Sequence, residues 1–231
     1  MLNYVFGMSS ESEDEFLNYK KNIDVVFGHM KSAPKEVQRT LLFDLWQQMS
    51  DLGLESVANY LAETYLMDVA VSLNDQELLH ALILYKNTSK GQIAPDFDVE
   101  IKVKDKLVTK RLTELKDAEN YIVVFWSSTC SHCLDEVPQL QNFVKSLEKG
   151  KVKVVAIGLE DEPYGWKNST YDYPEFIHVY GEGKWDNEIG DAYGVSSTPT
   201  YFILDADKKI ALKPVTFEAL MKFFEKPEVE D

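Results

Sequence analysis

Tyr121-Ile-Val-Val-Phe-Trp126 runs into Ser127-Ser-Thr-Cys130-Ser-His-Cys133, and from Leu134 onward the apolar residues fall at helical spacing. A short apolar run followed by a polar turn and a helical pattern predicts a buried strand feeding a helix near residues 131–148. The two sulfurs then sit C-x-x-C at the start of that helix. There the first faces unpaired backbone N–H groups and the positive helix end, a field that favours thiolate over thiol. The thiolate is the attacking species, so the placement points to dithiol/disulfide exchange, with Cys130 as nucleophile and Cys133 as resolving thiol. Further along the helix, Val137, Leu140, Val144 and Leu147 form its core stripe, and Pro138 lacks the N–H an unbent helix needs there.

Working outward, strands and helices alternate on both sides of this stretch. Val99 to Val103 and Leu107 to Thr109 predict a hairpin turning at Asp105. Val152 to Gly158 fits a buried parallel strand. Phe176 to Tyr180 and Thr200 to Leu204 are further strands, the latter turning at Asp205-Ala-Asp207 into Lys209 to Leu212. Trp185 to Tyr193 and Phe217 to Phe224 are predicted helices. Alternation of this kind implies an α/β central sheet covered on both faces. The aromatics of Tyr164-Gly-Trp166 and Tyr171-Asp-Tyr173 are expected in loops that cap a core, ahead of a substrate groove.

The first ninety or so residues follow a different grammar, with period-3.6 patterning and almost no strand signal. Phe16, Tyr19, Ile23, Val26 and Phe27 form one stripe, and Val37, Leu41, Leu42, Leu45, Trp46 and Met49 a second. Leu54, Val57, Leu61, Tyr65, Leu66 and Val69 form a third. Asn74 with Glu77 has the spacing of a capping box opening a fourth helix at Leu78, Leu79 and Leu82. Ser32-Ala-Pro34 and Gly53 break the pattern between helices. Acidic Ser9 to Glu15 reads as a solvated helix start. The polar stretch Lys86 to Gln92 separates the grammars, which places a small all-α bundle over 1–90 and an α/β domain over 91–231.

A chain of 231 residues that is 45% hydrophobic can fill one or two cores. Its formal net charge of −15 would repel a phosphate backbone or an anionic membrane surface, which argues against nucleic-acid binding. No apolar stretch approaches the roughly 20 residues of a membrane span, and the start lacks a basic, then apolar, secretory pattern. The chain reads as soluble, although a removed leader or lipid anchor would leave no trace. Both cysteines belong to one motif, so they give no vote on redox compartment. With one C-x-x-C and no second ligand pair a zinc site lacks ligands, and Leu134 in place of histidine after Cys133 argues against haem attachment. His29, His80 and His178 are scattered singly and read as packing or surface residues. No metal or organic cofactor is expected.

Residues 91–231 resemble the thioredoxin superfamily, and within it the TlpA/ResA-like branch of thiol-disulfide oxidoreductases. Three landmarks carry the resemblance. Gly91-Gln-Ile-Ala-Pro-Asp-Phe97 is similar to the opening of that branch. Phe125 to Cys133 is similar to its active-site turn, with Trp126 at the strand end, although Thr129 stands where Trp is frequent. Gly194-Val-Ser-Ser-Thr-Pro-Thr-Tyr-Phe202 is similar to its cis-proline loop. The resemblance implies a thioredoxin-like fold, a central mixed sheet flanked by helices. It also implies a cis bond at Pro199, with the backbone of Thr198 facing the sulfurs and pairing with an extended substrate segment.

The same resemblance gives Glu136, at i+3 from Cys133, the handling of the resolving cysteine's proton. Classical thioredoxins use a buried Asp on the preceding strand, where this chain has Val124. His132, between the cysteines as in oxidising and isomerising relatives, would stabilise the Cys130 thiolate and raise the potential. Reduction of client disulfides is ranked ahead of oxidation or isomerisation. Client proteins with thiols or disulfides and an upstream redox partner are the implied partners. A periplasmic or envelope location is implied, with cytoplasmic as the alternative. Ala94-Pro-Asp-Phe97 also suggests a peroxiredoxin, ranked lower because Val123 occupies the proline position of that family's motif. The helical region could be a protein-interaction module.

Overall fold

The computed structural model describes residues 15–104 and 106–225; Asp105, read as the hairpin turn, and residues 9–14 of the acidic stretch lie outside them. The chain divides into two compact units, Met1–Lys86 and Asn87–Asp231.

In the first unit α1 (Glu15–Met30) and α2 (Lys35–Asp51) are followed by α3 (Glu55–Leu61), a π turn (Ala62–Leu66), α4 (Met67–Ser72) and α5 (Gln76–Asn87). Tyr19, Ile23, Leu42, Leu45, Met49, Leu61, Leu66 and Leu82 meet in its core. The predicted stripes differ at their ends, for Phe16 and Val37 are exposed. At the position after Val37, Gln38 is buried because its amide donates to the carbonyls of Lys31 (3.2 Å) and Ala33 (2.8 Å), which closes the α1–α2 turn. The capping box is also displaced. Asn74 adopts a left-handed conformation with φ 54°. Asp75 does the capping, its carboxyl oxygen accepting from the Leu78 N–H at 3.1 Å.

The second unit opens with an antiparallel hairpin, β1 (Asp98–Val103) and β2 (Lys106–Arg111). There follow β3 (Asn120–Trp126), α6 (Ser131–Ser146), β4 (Val152–Glu160), α7 (Pro163–Thr170), β5 (Ile177–Glu182), α8 (Glu188–Tyr193), β6 (Thr200–Asp205), β7 (Ile210–Leu212) and α9 (Phe217–Phe224). The main sheet runs β5-β4-β3-β6-β7, with β3, β4 and β5 parallel and β6 and β7 antiparallel to their neighbours. Strand side chains alternate between faces, so the near-continuous apolar run of β3 fills two cores. Tyr121, Val123 and Phe125 pack with Phe202, Leu204 and Tyr193 on one side. On the other, Ile122, Val124 and Trp126 pack with Cys133, Val137, Leu140, Tyr201 and Phe217. The mixed sheet between helices is the predicted thioredoxin-like architecture.

The segment 163–170 departs from expectation, being helix α7 rather than loop. Pro163 at its start supplies a helical φ without needing a hydrogen bond. Within it, Tyr164 is 79% exposed and takes no part in a core. Trp166 lies against β4 and β5, beside His178 and Tyr180, and its indole occupies the space a side chain at Gly158 would need. Tyr173 does cap a core as expected, edge-on to Trp126 at 5.9 Å, whereas Tyr171 is exposed. Among the described residues, no helix is long and apolar enough to cross a membrane.

Candidate active site

Three short polar residues build the turn that presents Cys130. The Ser127 carbonyl accepts the Cys130 N–H at 3.2 Å, and its hydroxyl accepts the Thr129 N–H at 3.2 Å. Cys130 is then the N-cap of α6: its sulfur accepts the Cys133 N–H at 3.3 Å, the place a serine or aspartate oxygen fills in other helices. A cap sulfur therefore lies on the positive end of a sixteen-residue helix.

The two thiols are electrostatically unlike. Burial opposes the thiolate at Cys130, but hydrogen bonds from the Cys133 thiol, from Thr198 and from the backbone N–H groups of Cys133 and His132 outweigh it, and its pKa falls below the ordinary value. Cys133 is 0% exposed, and burial, then the hydrogen bond to Cys130, pushes its thiol up to about 12. Both cysteines carry free thiols, and Cys130 is the one that solvent reaches.

The remaining predicted residues gather unevenly around this pair. Thr198–Pro199 is a cis peptide bond, and the protonated Cys130 donates to the Thr198 carbonyl at 3.3 Å. Trp126 is fully buried on the α6 side of the sheet. The His132 side chain points to solvent, and the part of that residue engaged with the Cys130 sulfur is its backbone N–H. Glu136 is half-buried, and one of its carboxyl oxygens accepts the Tyr201 hydroxyl at 2.8 Å. Among the described residues, no three His, Cys, Asp or Glu side chains converge as a metal site would require.

In addition to the sequence-predicted Glu136, a second acid, Glu160, lies beside the dithiol. That carboxyl is 4% exposed, accepts the Ser127 hydroxyl at 3.2 Å, and takes the Ser128 N–H on its other oxygen. It braces from β4 the loop that carries Cys130. Its sequence context, Glu160-Asp161-Glu162, reads as a solvated acidic turn. The signal that finds it is register, because Trp126 lies opposite Gly158 in the parallel ladder and Glu160 is two residues further on the same face. Glu160→Ala would leave a buried N–H and hydroxyl without an acceptor and free the loop. Exchange is expected to slow about tenfold, while Glu160→Gln, which keeps an acceptor, recovers most of the rate. Equal rates for wild type and Glu160→Ala in a disulfide-reduction assay would refute the brace.

The family model described as Thioredoxin-like matches residues 119–210. The thioredoxin-like protein YneN of Bacillus subtilis is 30% identical over 136 residues, covering 53% of this chain and 73% of that protein. This chain belongs to the thioredoxin-like family. The thiol-disulfide oxidoreductase ResA of Bacillus subtilis is 28% identical over 131 residues, covering 57% of this chain and 69% of ResA, so the relationship extends to thiol-disulfide oxidoreductases. A thioredoxin-like protein from Bacteroides caccae superposes with a TM-score of 0.52 at 17% identity, over 91% of this chain and 82% of that one, a likeness of fold.

Proposed function

We propose that this member of the thioredoxin-like family exchanges disulfides with client proteins through Cys130 and Cys133, in the reducing direction. The observation that carries the reading is the asymmetry of the two sulfurs, one a helix cap with a depressed pKa and partial exposure, the other buried with its pKa near 12. The Cys130 thiolate attacks one sulfur of a client disulfide, and the other leaves as the client's first thiolate. Cys133 then gives up its proton, attacks the Cys130 sulfur and displaces the second client thiolate. The protein is left as the Cys130–Cys133 disulfide and the client as a dithiol, two electrons having passed to it. An upstream dithiol donor restores the reduced form.

Glu136 is proposed as the acceptor of the Cys133 proton, from its position one helical turn along α6. An extended client strand would pair with the backbone of Thr198 beside Pro199, where the carbonyl already meets the Cys130 thiol. The similarity to ResA supports reduction as the direction, and an envelope location is proposed on the same ground.

Equilibration against glutathione buffers tests the direction. A reduction potential below about −200 mV, in the range of thioredoxins and glutaredoxins, is expected. One of about −180 mV or higher, in the range of protein disulfide isomerase and DsbA, would replace this reading with an oxidase or isomerase, in which His132 stabilises the thiolate.

A further inference from the structure

Tyr201 is a buried phenol among apolar side chains. In β6 the side chains of Tyr201 and Ile203 point to the α6 side of the sheet, among Val124, Trp126, Cys133 and Val137. A phenylalanine would fill this space equally well, and a phenol here must find a partner for its hydroxyl. That partner is Glu136, whose carboxyl oxygen lies 2.8 Å away, and Tyr201 itself is only 3% exposed. Across the antiparallel ladder Tyr201 stands opposite Val124. No acid therefore rises from β3 at that level, and the polar atom comes from the neighbouring strand.

We propose that Tyr201 is the positioning residue of a Tyr201–Glu136 dyad that accepts the Cys133 proton during resolution of the mixed disulfide. The inference rests on the assignment of Glu136 made above. A donor to a carboxylate fixes one of its two oxygens, leaving the other for the sulfur's proton. Without the hydroxyl, Glu136 keeps its place on the helix but loses the bond that orients its carboxyl. The tie also crosses from the strand that follows Pro199 to the helix that bears both cysteines. It thus links the two segments that must stay in register while a client is bound. In the fold the Tyr201 pKa is raised, first by burial and then by Glu136, so the phenol remains a donor throughout the range in which exchange is measured.

The test uses the full chain and an aryl disulfide that releases a coloured thiolate at each of two steps, attack by Cys130 and then displacement by Cys133. Wild type, Tyr201→Phe, Glu136→Gln and the double variant are compared from pH 5 to pH 9. In Tyr201→Phe the second step is expected to slow about threefold to tenfold across that range, while the first step keeps its rate, a split that a general loosening of the fold would not give. Adding Tyr201→Phe to Glu136→Gln should change nothing more, because the two act as one unit.

Three outcomes overturn the dyad. If Glu136→Gln slows resolution but Tyr201→Phe matches wild type in rate and pH profile, the phenol is idle and Glu136 acts alone. If Tyr201→Phe slows the second step equally in both backgrounds, Tyr201 acts by a separate route. If Glu136→Gln leaves resolution unchanged, the assignment of Glu136 fails and the dyad fails with it.

Discussion

Cys130→Ser is expected to reduce disulfide exchange by about a thousandfold or more, whereas Cys133→Ser should stop turnover yet capture clients as stable mixed disulfides on Cys130. The difference follows from where the sulfurs sit. Cys130 is accessible and caps α6, so removing it removes the attacking atom. Cys133 is 0% exposed and serves only from within, so without it the first covalent step still proceeds and the second has no nucleophile. The pH dependence separates the thiols in the same way. The depressed pKa of Cys130 means that a small alkylating reagent should react once, with a rate that rises through a midpoint below that of a free cysteine, near 8.5. Cys133, pushed up to about 12, stays unmodified through that range. Two alkylation events at neutral pH, or one at the rate of an unperturbed thiol, would contradict the proposed division of labour.

How much of this was legible in the sequence depends on how local the cause is. The strand-turn-helix around Cys130, the two-face packing of β3 and the alternation that sets the sheet all arise from periodicity along one segment, and each appears in the fold. The residues that organise the site from other segments were harder to read. Glu160 looks like the first of three surface acids until the register of β3 and β4 places it two residues beyond Gly158, against the nucleophile's loop. Tyr201 looks like one more aromatic in a strand, and only the packing of β6 beneath α6 brings its hydroxyl to Glu136. Trp166 caps a core as expected but from a helix, because a segment that begins Pro163-Tyr-Gly lacks a strong propensity signal and packing against Gly158 overrides the weak one. Local chemistry thus marked Cys130 as the proposed nucleophile, while tertiary register supplied its supports.

Lys208 is the extreme case of that rule, and replacing it should have the largest effect on stability. In Asp205-Ala-Asp-Lys-Lys209 it reads as part of a solvated turn, yet it is 1% exposed. Its ammonium donates to the carbonyls of Leu115 and Ala206, each at 2.7 Å, and lies 4.0 Å from the centre of the Tyr121 ring. One side chain therefore ties the loop before β3 to the turn between β6 and β7. Lys208→Met keeps the volume but removes the donors and the cation–π contact, leaving two carbonyl groups without this partner. A loss of about 2–4 kcal/mol in unfolding free energy is expected at neutral pH.

The sign of the pH effect follows from the shift. Burial first, then the nearby Lys116 charge, lowers the Lys208 pKa in the fold. Between that lowered value and the unfolded one near 10.4, the unfolded chain binds more protons, so stability contributed by this site rises with pH. Methionine has no such dependence, and the penalty for the substitution should therefore grow from neutral pH toward pH 10. Denaturant titrations of both proteins at pH 7 and pH 10 decide the matter. A variant as stable as wild type at pH 7 would mean that Lys208 does not hold these segments together, and a penalty that shrinks as pH rises would mean that the fold raises the Lys208 pKa rather than lowering it.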